Sequence, residues 1–220
     1  ETALIERIAA RGDGVTADGR HVAGGVPGDR LAADGTLVPG PNRAEPVCRH
    51  FGKCGGCQLQ HVAEGALADF VRDRVVGALE GQQVTAGDVL PALLSPAASR
   101  RRAALTALKI GKQVALGFNA AQSNQIVDMR MCPLLLPELF ALVAPVRALL
   151  DTIAPQRRPV KVKLQMLDQG AEIILEGVKA DGLDAAMALQ DFAGEHRLAR
   201  LAVDQGDGLE TVWQPEPPTV

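Results

Sequence analysis

The chain has 220 residues, 47% of them apolar and 22% charged, the balance of an ordinary globular protein long enough to bury a real core in one large domain or two small ones. No run approaches the ~20 apolar residues of a membrane-spanning helix, and Glu1-Thr2-Ala3-Leu4-Ile5-Glu6-Arg7 is not the start of a signal peptide, so a cytoplasmic location with reduced thiols is expected. A net charge of −3 argues against a uniformly basic nucleic-acid binder and directs attention to how the charge is distributed.

Residues 1–46 carry turn signals at Gly12-Asp13-Gly14, Asp18-Gly19, Pro27-Gly28-Asp29, Asp34-Gly35 and Pro39-Gly40-Pro41. The runs between them, Ala3-Leu4-Ile5-Glu6-Arg7-Ile8, Arg20-His21-Val22-Ala23 and Thr36-Leu37-Val38, read as strands of a small β-barrel.

Next comes Cys48-Arg49-His50-Phe51-Gly52-Lys53-Cys54-Gly55-Gly56-Cys57-Gln58-Leu59-Gln60-His61, which holds three of the four cysteines. Five residues separate the first pair and two the second, while the fourth thiol, Cys132 of Cys132-Pro133, returns after 74 intervening residues. A loop rich in Gly52, Gly55 and Gly56 can wrap a centre tightly, since glycine tolerates positive φ. Four thiolates in a three-plus-one pattern, with proline after the last, fit an iron–sulfur cluster. The same four would also hold a structural zinc, although zinc ligands usually come as two close Cys-x-x-Cys pairs. A disulfide framework is the bland alternative, disfavoured without a secretory segment.

Leu67, Phe70, Val71, Val75, Ala78 and Leu79 then recur at helical spacing up to a stop at Gly81, a stripe that predicts core or domain contact. Arg101–Ile110 and Gln113–Phe118 flank Gly111-Lys112 as a hairpin. From Val89 to Val127 there is no acidic residue, while Arg100, Arg101, Arg102, Lys109 and Lys112 contribute five positive charges; Gln156–Lys163 adds four more. Such islands can meet phosphates, and Phe118 is a candidate base-stacking residue whose bland reading is core. Ile126-Val127-Asp128 predicts a strand, and Pro137–Ile153 a helix kinked at Pro145. Val160, Val162, Leu164 and Met166 alternate with Lys161, Lys163 and Gln165, a strand that turns at Asp168-Gln169-Gly170 into Ala171–Glu176, where Glu172 and Glu176 would face Lys161 and Lys163 in an ion-pair ladder. A helix over Leu183–Ala193 and strands near Leu198–Val203 and Leu209–Trp213 follow, and Pro215-Glu216-Pro217-Pro218 reads as a linker.

The cysteine stretch resembles the cluster signature of the S-adenosylmethionine-dependent RNA uracil-5 methyltransferases, in particular those with a 4Fe-4S cluster that modify 23S ribosomal RNA. Arg100-Arg101-Arg102-Ala103, Gly117-Phe118, Ser123, Ile126-Val127-Asp128 and Cys132-Pro133-Leu134 extend the resemblance. Ile5-Glu6-Arg7-Ile8, the Gly-x-Gly at 12–14 and Val26-Pro27-Gly28-Asp29 are similar to the amino-terminal TRAM barrel, an oligonucleotide-binding-like module, here abbreviated because the segment from that Pro-Gly to the first cysteine is shorter than in the family, with Arg30 and Arg43 as its only basic residues.

The resemblance implies an α+β fold: an abbreviated TRAM-like barrel over 1–46, an iron–sulfur-binding central RNA-recognition domain over 47–214, and a linker over 215–220. It implies a cluster on Cys48, Cys54, Cys57 and Cys132. RNA contacts would come from Arg49, His50, Lys53, Gln58, Gln60, Arg100, Arg101, Arg102, Lys109, Lys112 and Phe118, with ribosomal RNA favoured over transfer RNA. The sequence has no glycine-rich strand-to-helix loop for S-adenosylmethionine, and no cysteine beyond the four to attack uracil. A non-catalytic amino-terminal portion is therefore expected, with S-adenosylmethionine bound only in the full-length protein by its own methyltransferase domain. The alternative is an interaction module stabilised by zinc on the four cysteines, with no nucleic-acid role.

Overall fold

The computed structural model describes residues 2–178, 182–206 and 208–219, so Asp207 of the Gly206-Asp207-Gly208 turn and Val220 of the 215–220 segment lie outside the described residues. The chain is mixed α+β and divides into two compact units: residues 1–51 with 57–95, and residues 52–56 with 96–220. Among the described residues no helix is long and apolar enough to cross a membrane.

The first unit is an antiparallel sheet of short strands, β1 (Ala3–Ile8), β2 (Gly14–Thr16), β3 (His21–Val22), β4 (Arg30–Leu31) and β5 (Leu37–Val38), in the order β3-β2-β1-β4-β5. The expected strands at 3–8, 20–23 and 36–38 are present; β2 and β4, with two or three residues each, are too short to show alternation in sequence. These short strands bury Ile5, Ile8 and Val15, and a buried charge holds the turns beside them. The side chain of Asp29 is fully buried and accepts N–H bonds from Val26 at 2.8 Å and Gly40 at 2.7 Å, along with an ion pair to Arg43, whose guanidinium also donates to Gly24 O at 2.7 Å. Burial alone would push the Asp29 carboxyl up, but Arg43 and the two backbone donors outweigh it and hold the pKa below the usual carboxylate value.

Helix α1 (Glu64–Gly81) closes this unit against a small cluster of Ile8, Val26 and Val62, using Ala66, Leu67 and Phe70. The helix matches the expected stripe in position but not in burial: none of its residues is buried, and Val71 and Val75 are exposed. Gly81 is the last helical residue, and the left-handed conformation beyond it is taken by Gln83 at φ 58°.

The second unit is a seven-stranded sheet in the order β12-β11-β10-β9-β6-β7-β8, built from β6 (Arg102–Ile110), β7 (Gln113–Asn119), β8 (Ile126–Asp128), β9 (Pro159–Leu167), β10 (Gly170–Glu176), β11 (Arg200–Asp204) and β12 (Leu209–Trp213). The Gly111-Lys112 hairpin forms as expected, with Ile110 paired to Gln113 and Gly111 at φ +61°. Among the described strands only β10 and β11 pair in parallel, which requires a crossover, and helix α4 (Leu183–Glu195) lies in it. Leu105, Leu116, Val162, Ile173 and Leu201 on the strands join Leu139, Leu150 and Leu189 on the helices in one core.

Two expectations need correction here. The predicted single helix is two, α2 (Pro137–Ala141) and α3 (Val143–Ile153), divided at Leu142 rather than at Pro145. Pro145 falls in the first turn of α3, where a missing N–H leaves no helical bond unmade. The ion-pair ladder is also rearranged: Glu176 stands opposite Lys161 but pairs with Lys163, Lys161 donates to Thr106 Oγ1 at 2.8 Å, and Glu172 faces Gln165 and pairs with Arg200 at 3.2 Å. The residues past Trp213 are tied down, with Thr219 N–H donating to Gln169 Oε1 at 3.0 Å and Thr219 Oγ1 to Asp168 at 2.9 Å.

Asp29→Ala leaves Arg43 without its buried partner and is expected to destabilise the first unit by about 3–5 kcal/mol. Because the folded-state pKa of Asp29 lies below that of the unfolded chain, its stabilising effect is complete above pH ~4 and fades as pH falls through the folded value. Acid unfolding of this unit, followed by strand amide exchange, should lose that component in the variant; an unchanged acid limb would refute the assignment.

Candidate functional site

The cysteine loop takes its shape from the residues between its thiols. In the first unit Cys48 opens a turn in which Phe51 N–H donates to Cys48 O at 3.0 Å, leaving Arg49 exposed and His50 half-buried. The Phe51 ring lies 5.2 Å from His61. In the second unit the 52–56 segment lies along the end of β7: Gly55 N–H donates to Asn119 O at 2.9 Å, Ala121 N–H donates to Lys53 O at 3.3 Å, and Cys54 pairs with Ala120 as an antiparallel bridge.

Of the three loop glycines only Gly52, at φ +81°, uses glycine's left-handed freedom as expected. The other two are required by contact. A Cβ on Gly55 would stand 2.8 Å from Asn119 O, and one on Gly56 3.2 Å from the Phe118 ring. Phe118 thereby packs between Gly56 and the core of its unit, which is its bland role.

All four cysteines are half-buried. Cys48 and Cys57 belong to the first unit, Cys54 and Cys132 to the second, where Cys132 packs on the core. Just upstream, Asp128 accepts Leu116 N–H at 3.2 Å and pairs with Arg147 at 2.8 Å and Arg130 at 2.6 Å. Burial raises its pKa, but the N–H and the two guanidiniums bring it below the ordinary value. Partly shielded thiols suit metal ligation chemically, but among the described residues no three His, Cys, Asp or Glu side chains are grouped so as to hold a metal ion.

After the loop, Gln58 is exposed, whereas both polar atoms of the Gln60 side chain are buried without a hydrogen-bond partner and so do not face solvent. His61 is buried, and neither ring nitrogen makes a well-aligned hydrogen bond. Burial and the nearby Arg43 guanidinium hold its pKa below the usual imidazole value, against weaker pulls from Asp29 and the Gly24 backbone, so the ring is neutral at pH 7.

The cationic residues gather at the start of β6. Arg100, Arg101 and Arg102, with Ser99 and Met166, line a cavity of about 480 Å³. The backbone of Arg100 is held by Leu134 O at 2.8 Å and by Leu136 N–H at 3.0 Å, and Arg101 donates to Met166 O at 3.0 Å with Asp168 4.0 Å away. Arg101 and Arg102 are exposed, as is Lys112 in the hairpin turn. Lys109 differs: its ammonium is engaged by Asp151, 3.4 Å from the carboxylate and bonded also to the backbone carbonyl. Met166 and Ser99 were not foreseen. Met166 is brought to the arginines by the pairing of Arg102 with Gln165, a match across the whole intervening helical region that leaves no local trace in sequence.

No family model matches the chain. An uncharacterised RNA methyltransferase of Zymomonas mobilis is 42% identical over 216 residues, which are 98% of this chain and 54% of that protein. The 23S rRNA (uracil-C5)-methyltransferase RlmD of Erwinia tasmaniensis is 30% identical over 200 residues, 89% of this chain and 44% of its own length. The chain thus spans about half the length of the curated relatives it matches. The crystal structure of the Pyrococcus abyssi tRNA (uracil-54, C5)-methyltransferase in complex with S-adenosyl-L-homocysteine shares the fold, with a TM-score of 0.60 and 15% identity over 97% of this chain and 54% of that one.

Gly55→Ala forces a methyl group against the Asn119 carbonyl and is expected to lift the 52–56 segment from β7 at a cost of roughly 1–3 kcal/mol. Cys54 should then react faster with a thiol reagent while the sheet keeps its circular dichroism; an unchanged labelling rate would contradict the packing described.

Proposed function

We propose that this chain is the RNA-recognition part of an S-adenosylmethionine-dependent RNA (uracil-5-)methyltransferase, about half of the complete enzyme, with ribosomal RNA favoured over transfer RNA. The observation that carries the reading is the 42% identity running through nearly the whole chain to a protein named as an RNA methyltransferase. The name of the Erwinia relative supports uracil C5 of 23S rRNA as the target. The cationic cavity at Arg100, Arg101 and Arg102 supplies the chemistry the reading needs, since guanidiniums grip phosphates in a bidentate manner.

In this reading residues 1–46 are an abbreviated TRAM-like module, 47–214 the central domain, and 215–220 the approach to the rest of the enzyme. Cys48, Cys54, Cys57 and Cys132 supply the thiolates of a 4Fe-4S cluster, a proposal supported by their three-plus-one spacing and the proline after Cys132. When bound, such a cluster would contribute folding free energy by tying remote parts of the chain to one centre. The work of this chain's own residues is to bind and orient RNA. Arg101 and Arg102 meet phosphates, Lys53 and Lys112 add exposed positive charge, and Lys109 contributes least because Asp151 already holds its ammonium. The nucleophile, the methyl donor and the base that removes the C5 proton belong to the remainder of the enzyme, so this chain alone does not transfer a methyl group.

Two measurements test the proposal. Arg101→Ala and Arg102→Ala should each weaken binding to a 23S rRNA fragment and reduce the salt slope by about 1, while Lys109→Ala changes both far less. Equal effects from all three, or no effect from any, would sink the assignment. Protein purified anaerobically should contain iron and acid-labile sulfide, lost in Cys54→Ala and Cys132→Ala; zinc in their place would favour the interaction-module alternative.

A further inference from the structure

Helix α1 and the segment after it expose apolar side chains that nothing in the first unit covers. The inner face of the helix is satisfied by Ala66, Leu67 and Phe70 on the Ile8–Val26–Val62 cluster. A second stripe, Val71, Val75 and Leu79, stands at i, i+4 and i+8 on another face of the helix. Of the thirteen large apolar residues exposed among those described, six lie between positions 71 and 93: Val71, Val75, Val84, Val89, Leu90 and Leu93, the last 98% exposed. Between the helix end and this segment is a groove of about 410 Å³, lined in part by Leu79, Val84 and Val89. Apolar surface concentrated in this way marks a surface that another protein element covers.

We propose that the face formed by α1 and residues 84–93 is the docking surface for the part of the longer enzyme that lies outside these 220 residues; this rests on reading the chain as about half of that enzyme. The chemistry of the face selects the occupant. From Val75 to Ser99 there is no Lys or Arg, and the two charged residues, Glu80 and Asp88, are both acidic. Along residues 75–93 a nucleic acid would find no counter-charge, whereas an apolar protein surface would lose none. The cations of α1, Arg72 and Arg74, precede that stretch, Arg72 paired with Asp69 and Asp73 and Arg74 lying over the Phe70 ring. A second copy of the chain is also apolar, but the rest of the same polypeptide is tethered at an effective concentration in the millimolar range and takes the surface first. The curated relatives supply the necessary length, since the match to the Zymomonas protein leaves nearly half of that protein outside.

The test is hydrogen–deuterium exchange of the full-length protein, wild type against Val75→Glu/Leu93→Glu, with the milder Val75→Thr/Leu93→Asn pair guarding against unfolding. In wild type the amides of α1 should exchange slowly, and in the Glu pair at least ten times faster, with β1 unchanged and the mass that of a monomer in both. Exchange at the rate of an uncovered helix in the wild type, with no effect of either pair, overturns the proposal. So does protection that is lost on dilution together with a doubled mass, which would assign the face to a second copy, or protection that arises only when RNA is added. Methyl transfer to RNA, measured on the same preparations, distinguishes the two readings: an active enzyme with an unprotected α1 refutes the docking surface alone, whereas a protected α1 in a protein without that activity refutes the functional reading alone.

Discussion

Strand β6 is the constraint on which the second unit depends, because it pairs on both edges at very different sequence separations. With β7 it forms a two-residue hairpin around Gly111 and Lys112, so the pairing is local and inexpensive in chain entropy. With β9 it pairs from Arg102–Gln165 to Leu108–Pro159, closing a loop that contains α2 and α3. The longer closure is offset by burial: Leu105 and Ala107 of β6 and Val160 and Val162 of β9 are almost inaccessible and share one core with the helices. Functional placement follows from the same strand. Its first residue, Arg102, is held at the rim with Met166, and the last residue of its hairpin partner β7, Asn119, with Ala120 beyond it forms the ledge on which the 52–56 segment lies.

The first unit solves its stability problem by other means. Its strands are short and its apolar core is small, Ile5, Ile8, Val15, Val26 and Val62 being its large buried side chains. A buried carboxylate with two backbone donors and a guanidinium takes over the task of fixing the turns at residues 24–29 and 40–43. Such a centre specifies geometry more than it adds stability, since the desolvation of Asp29 opposes the gain from pairing. It also accounts for Arg43, one of only two cations between the Pro27-Gly28 turn and the first cysteine: it is a structural partner of Asp29, not a free charge for RNA.

What could be read in advance was what repeats locally. The period-two alternation of Val160, Val162 and Leu164, the turn chemistry of Gly111-Lys112 and the helical stripe after residue 64 all appear where their patterns put them. What could not be read depended on partners remote in sequence. Lys163 chooses Glu176 on a diagonal, and Lys161 turns to Thr106 of another strand. The stripe of α1 revealed the element but not its burial, because periodicity shows that a face is apolar without showing whether the covering element is present. Gly55 and Gly56 were recognisable as necessary but for the wrong reason: the backbone lies against Asn119 and Phe118, and no positive φ is involved.

Charge and apolar exposure divide the chain around position 100, and the division has a physical consequence. Phosphate recognition draws its free energy from cations that displace counterions, so the proposed RNA contacts need exposed cations such as Arg101, Arg102 and Lys112. Protein docking draws on apolar area removed from water, and a charge stranded at that surface would oppose it. In the proposed reading, a stretch of 25 residues without a cation followed directly by three arginines separates the two kinds of recognition along the sequence. An arginine placed among Val84, Val89 and Leu93 would weaken one contact without creating the other, because a single cation in an apolar field neither tracks a phosphate backbone nor packs.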